Sequence, residues 1–120
     1  WVRLKIDQII RDMQREGYSL TVQGEFGRPV KLVNAALEIL FSRAQAMGQK
    51  FGLKIDWQDS GGCCDGNNLA HQGLPVLDTL GVRGGDIHSP NEFLLLDSLV
   101  ERATLSTLLL IDLAQNGKII

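Results

Sequence analysis

The stretch Ser60-Gly61-Gly62-Cys63-Cys64-Asp65-Gly66-Asn67-Asn68-Leu69-Ala70-His71-Gln72-Gly73-Leu74-Pro75-Val76-Leu77-Asp78-Thr79-Leu80-Gly81-Val82-Arg83-Gly84-Gly85-Asp86-Ile87-His88-Ser89-Pro90 decides how the rest of the chain is read. It holds two glycine-rich turns around the apolar run Leu74–Leu77, and it ends on His88-Ser89. Just ahead of it, Leu53, Ile55 and Trp57 alternate with polar residues, the period of a half-buried strand. Asn67–His71 predicts a short helix after the first turn, and Leu74–Leu77 predicts a second strand. Glycine lets the main chain approach a ligand closely, and a helix start adds backbone N–H groups. Loops leaving neighbouring strand ends meet at one edge of a sheet, where open α/β folds bind their ligands. The fold class expected is therefore α/β, a helix-flanked sheet.

Downstream, Glu92–Leu96 predicts a short extended segment. Ser98-Leu99-Val100-Glu101 then fits a capping box, with the Ser98 hydroxyl and the Glu101 carboxylate each bonding the other's backbone N–H. The helix it opens runs to about Ala114 through Val100, Ala103, Thr107, Leu110, Ile111 and Ala114, widened by Leu108 and Leu109, and Gly117 ends it. Upstream, Pro29 suits a first helical position. Val33, Leu37, Leu40, Ala44 and Met47, broadened by Ala36 and Phe41, form the stripe of a long amphipathic helix to about Lys50. Tyr18–Val22 alternates as a strand, and residues 4–16 place Ile6, Ile9, Ile10 and Met13 on one helical face before Gly17.

Composition narrows the partners. The chain has 120 residues, enough for one domain with a modest core, and its 44% hydrophobic and 22% charged content is ordinary for a globular protein. A net charge of -2 without a basic cluster argues against nucleic acid. Uninterrupted apolar runs such as Leu108–Ile111 are too short for a membrane span. Cys63 and Cys64 are adjacent, and neighbours bridge only through a strained eight-membered ring, so they are expected as reduced side chains packed under a loop. That fits a reducing cytoplasm.

Four short patterns in order carry a family resemblance: Gly27-Arg28-Pro29, Ser60-Gly61-Gly62 followed by Asp65, Gly73-Leu74-Pro75, and His88-Ser89. Together they resemble the C-terminal part of the dizinc peptidases, the family of glutamate carboxypeptidase, acetylornithine deacetylase, succinyl-diaminopimelate desuccinylase and aminoacylase. The resemblance implies that residues 1–27 close a small α+β lid and that residues 28–120 belong to the catalytic domain. It implies two zinc ions per complete site, with His88 as one metal ligand and Arg28 holding the free carboxylate of a small-molecule substrate. Gly61 and Gly62 would line the pocket, with Asp65 and Ser89 supporting the loops. The activity implied is hydrolysis of an amide bond beside a carboxylate, in N-acyl amino acids or C-terminal glutamates, by a full-length protein that dimerises through the lid. The bridging carboxylate and the glutamate base of the family lie N-terminal to the lid, so the 120 residues alone are expected to be inactive.

Residue chemistry supports these roles without requiring them. A neutral imidazole on a glycine-bordered loop suits zinc, but a lone loop histidine is as often just solvated, and zinc needs three or four protein ligands. An arginine grips a carboxylate bidentately, whereas near a helix start its charge opposes the dipole. His71 reads as an ordinary helix residue and Arg83 as an exposed loop arginine. Phosphate-binding glycine motifs are not matched. The alternatives are a non-catalytic module that cradles a small anion, and a structural family member lacking the other metal ligands.

Overall fold

In the computed structural model, which describes residues 1–117, the core is built where two helices meet. Asn34 stands at φ -136° and its side chain accepts a hydrogen bond from Leu37 N, opening helix α2 (Ala35–Gln49). Leu40, Ala44 and Met47 recur at helical spacing on one face. They pack against Leu105 and Leu109 of the long C-terminal helix (Asp97–Asn116). Ala44 and Leu105 have no exposed surface. Around this seam lie Leu53, Ile55, Leu77 and Leu80 from the intervening chain. Arg43 Nε faces Asp112 Oδ2 at 2.8 Å across the two helices.

In chain order the elements are α1 (Val2–Asp12), α2, α3 (Asp65–His71), the strands β1 (Gly84–Gly85) and β2 (Phe93–Leu94), and α4 (Asp97–Asn116). The strands pair antiparallel, with Gly84 opposite Leu94 and Gly85 opposite Phe93. The Phe93 main chain and ring lie against the two glycines, where a Cβ would have no room. Among the described residues no helix is long and apolar enough to cross a membrane.

Several expectations are corrected. Residues 18–22, 53–57 and 74–77 form no ladder, so among the described residues the sheet observed is the two-stranded hairpin alone. Alternation reports which face is buried, not that a partner strand is present: Leu53 and Ile55 do turn toward α2, and Gln45 Nε2 donates to Ile55 O at 2.8 Å. Helix α2 begins after Asn34 rather than at Pro29, which leaves Val33 outside it and 48% exposed. Helix α1 ends at Asp12, ahead of Gly17 at φ 83°. Helix α3 begins at Asp65, with Cys64 as its N-cap.

In α4 the buried face is Leu105 and Leu109, not the Val100–Leu110–Ile111 stripe, whose large members are exposed. The consecutive apolar residues Leu108–Ile111 cover most of the helix circumference and set no unique phase, so the partner helix selects the face. Ser98 is not the cap. Fully buried in the first turn, its hydroxyl donates to Leu95 O at 2.5 Å and accepts from Arg83 N at 2.9 Å, binding β1's approach to α4. Glu101 instead sits between Arg83 and Arg102 at 3.3 and 3.2 Å.

The radius of gyration is 20.2 Å, against ~14 Å for a compact chain of this length. Helix α1 buries no residue, and Arg3 stacks over Phe26 at 5.7 Å instead of reaching the core. The apolar contacts holding the fold are thus concentrated between α2 and α4. Leu105→Ala is expected to destabilise the fold by about 2–5 kcal/mol through lost burial and the cavity left behind. Urea unfolding followed by helical circular dichroism measures this, and a loss below ~1 kcal/mol would show that the seam is not the core.

Candidate functional site

Three segments distant in sequence are joined by side-chain bonds: residues 28–31, the turn at 63–67, and residues 76–78. Asn67 is the centre of the join. Its Oδ1 accepts from Cys64 N at 3.0 Å and its Nδ2 donates to Pro29 O at 2.9 Å, with the residue only 8% exposed. One amide thus closes the first turn of α3 and anchors the arm carrying Arg28. Beside it, Gly66 packs under the 76–78 segment. A Cβ there would stand 2.5 Å from Asp78 Oδ1 and 3.0 Å from Val76 Cγ1.

Two cations cross this junction. Arg28 Nη2 donates to Asp65 Oδ1 at 2.8 Å, and its Nη1 faces Cys63 Sγ at 3.9 Å. The Cys63 thiol, then the Asp65 carboxylate, push the guanidinium pKa above its already high ordinary value, so Arg28 is a permanent cation. Lys31 Nζ binds Asp78 Oδ2 and also donates to Val76 O at 3.3 Å. The other Asp78 oxygen accepts from Cys64 Sγ at 3.3 Å. Both thiols are free and exposed, each against a different ion pair, rather than packed under the loop as expected.

Of the residues singled out in the sequence, Arg28 and Asp65 are brought together, and the Gly61-Gly62 turn leads directly into Cys63 and Cys64. Gly62 N donates to Ser60 Oγ at 3.1 Å. Asp65 ties down the loop, while the helix capping is done by Cys64 and Asn67. His88 lies elsewhere in the chain's architecture, on the loop between β1 and β2, at φ 66°. A non-glycine residue in that left-handed region is uncommon and is held by its surroundings. Ser89 supplies the hold: its N–H donates to Asp86 O and its Oγ accepts from Asn91 N, both at 3.1 Å. His88 N donates to Glu92 Oε2 at 3.4 Å.

Among the described residues no hydrogen bond or ion pair links His88 to Arg28, and no three His, Cys, Asp or Glu side chains gather as a metal site would require. The residues present therefore do not by themselves fit a zinc ion. His71, the C-terminal residue of α3, and Arg83, paired with Glu101, take no part in the junction.

Lys31, Asn67 and Asp78 were not anticipated. Asn67 carried a usable signal, since an amide three residues past an N-cap can reach back to the cap's N–H as glutamate does in a capping box. Lys31 and Asp78 carried none, because their partnership depends on a long-range fold-back. Gly66→Ala tests the junction. A helical alanine gains ~1 kcal/mol of propensity, but forcing a Cβ against Asp78 and Val76 costs ~1–3 kcal/mol. The expected result is net destabilisation, with faster tryptic cleavage after Lys31 as its ammonium is freed; unchanged cleavage would mean the junction does not hold Lys31. No family profile, curated protein or solved structure matches this chain.

Proposed function

We propose that the chain is the C-terminal part of a zinc-dependent, cytoplasmic amidohydrolase that cleaves an amide bond next to a free carboxylate. The observation that carries the reading is the placement of Arg28. A half-exposed, permanently charged guanidinium stands on the turn that follows Gly61-Gly62, tens of residues away in sequence. An arginine fork is suited to holding a carboxylate by paired N–H bonds, and glycines just ahead of the turn it contacts leave the main chain there without side chains.

In this reading Arg28 fixes the substrate's carboxylate, Gly61 and Gly62 leave room for it, and Asn67 holds the arm that sets Arg28's reach. Ser89 and Asp86 hold the strained loop that presents His88 as one metal ligand. The remaining ligands and the general base come from outside these 120 residues. Zinc, when bound, would polarise the scissile carbonyl and activate water. Residues 1–27 belong to a lid through which the full-length protein pairs, and residues 28–120 to the catalytic domain.

Kinetics and metal analysis on the complete protein, with N-acyl amino acids and C-terminal glutamate peptides as substrates, test the reading. Arg28→Lys is expected to lower kcat/KM by roughly tenfold to a hundredfold, since lysine cannot reproduce the paired grip. Unchanged kinetics across the panel would remove Arg28 from the site. His88→Ala is expected to lose zinc and turnover together while the helical spectrum is kept, because the residue sits on a loop and its loss opens no core cavity. Full metal content with near-normal turnover would remove the metal-ligand role.

A further inference from the structure

The two ion pairs at the junction are built differently. Lys31 and Asp78 have side chains 18% and 27% exposed, and each is held from a second side, Lys31 by Val76 O and Asp78 by Cys64 Sγ. Arg28 and Asp65 meet through a single 2.8 Å contact, with side chains 43% and 87% exposed. Among the described residues the other arm of the fork, Nη1, faces only the Cys63 sulfur, a weak acceptor, at 3.9 Å. A guanidinium pairs two nitrogens with two carboxylate oxygens, and Asp65 uses half of that capacity. Exposed pairs of this kind hold weakly, because solvent screening and side-chain entropy offset most of the attraction.

We infer that Asp65 is an internal place-holder for a ligand carboxylate, occupying Arg28 in the free protein and giving way when a carboxylate arrives. The inference rests on the reading of Arg28 as a carboxylate-binding residue and adds the regulation of that site. Displacement exchanges one N–H···O bond for a two-point grip and never leaves the guanidinium unpaired. Asp65 returns to water at little cost, being almost fully exposed already. Its release leaves α3 intact, since Cys64 and Asn67 close that helix's first turn. The place-holder lowers apparent affinity for every ligand by the same factor, and only a carboxylate gains enough from the guanidinium to displace it.

Titration of this chain with N-acetylglycine, and separately with N-acetylglycine amide, tests the inference by following the Arg28 side-chain resonance. Asp65→Asn is expected to bind N-acetylglycine roughly two- to fivefold more tightly, the weakening an exposed ion pair of this kind would impose. Asp65→Glu should return affinity to near the wild-type value, Arg28→Gln should abolish binding, and the amide should not bind. Equal or weaker affinity in Asp65→Asn, with binding still lost in Arg28→Gln, overturns the place-holder and leaves Arg28 as a carboxylate site. Absence of saturable binding in both wild type and Asp65→Asn overturns the place-holder together with the reading of Arg28.

Discussion

Ala44 on α2 and Leu105 on α4, neither with any exposed surface, mark the contact on which the rest of the structure depends. Ala44 is the smallest side chain of this buried cluster, which Leu40, Met47 and Leu109 complete. Residues 53–55 and 77–80 join no ladder, yet they are placed because Leu53, Ile55, Leu77 and Leu80 lean on this seam. Tertiary packing thus substitutes for strand pairing along residues 53–55 and 77–80.

Polar bonds then set the fine geometry that the seam alone leaves open. Asn67 serves two segments with one amide, and the Ser98 hydroxyl serves two others, joining Leu95 to Arg83. Each is itself buried and bonds two backbone groups, so replacing either loses more than one ordinary hydrogen bond. Apolar contacts decide that the chain folds back; these side chains decide which residues face one another when it does.

Helix α2 was legible because Leu37, Leu40, Ala44 and Met47 repeat with an unambiguous period beside polar neighbours. Its start was misjudged because Pro29 is permitted at a helix start but does not compel one, whereas Asn34 supplies an actual bond. The buried face of α4 was illegible in the run Leu108–Ile111, where every phase is apolar. Strand pairing was illegible for a different reason: alternation is a property of one segment, and a ladder is a property of two. Within the site, Arg28 and Asp65 stood out by residue type and neighbouring glycines, as His88 did on its separate loop. Their pairing did not, since the Arg28–Asp65 contact spans 37 positions.

The separation between α2 and α4 also has a kinetic side. The two helices that make the core lie on either side of residues 50–96, and those residues carry the glycine turns and the His88 loop. Docking the helices therefore closes a long loop before most of the apolar burial is gained, and the entropy of that closure must be met first. Non-local contacts of this kind slow folding relative to a bundle of sequence-adjacent helices. The order expected from this is that α2 and α4 acquire helicity locally and find each other across the loop, with the turns at 60–67 and 86–91 settling afterwards. The glycine turns and the His88 loop, which add little apolar burial, are thus expected to order after the helices dock and to be released first on heating.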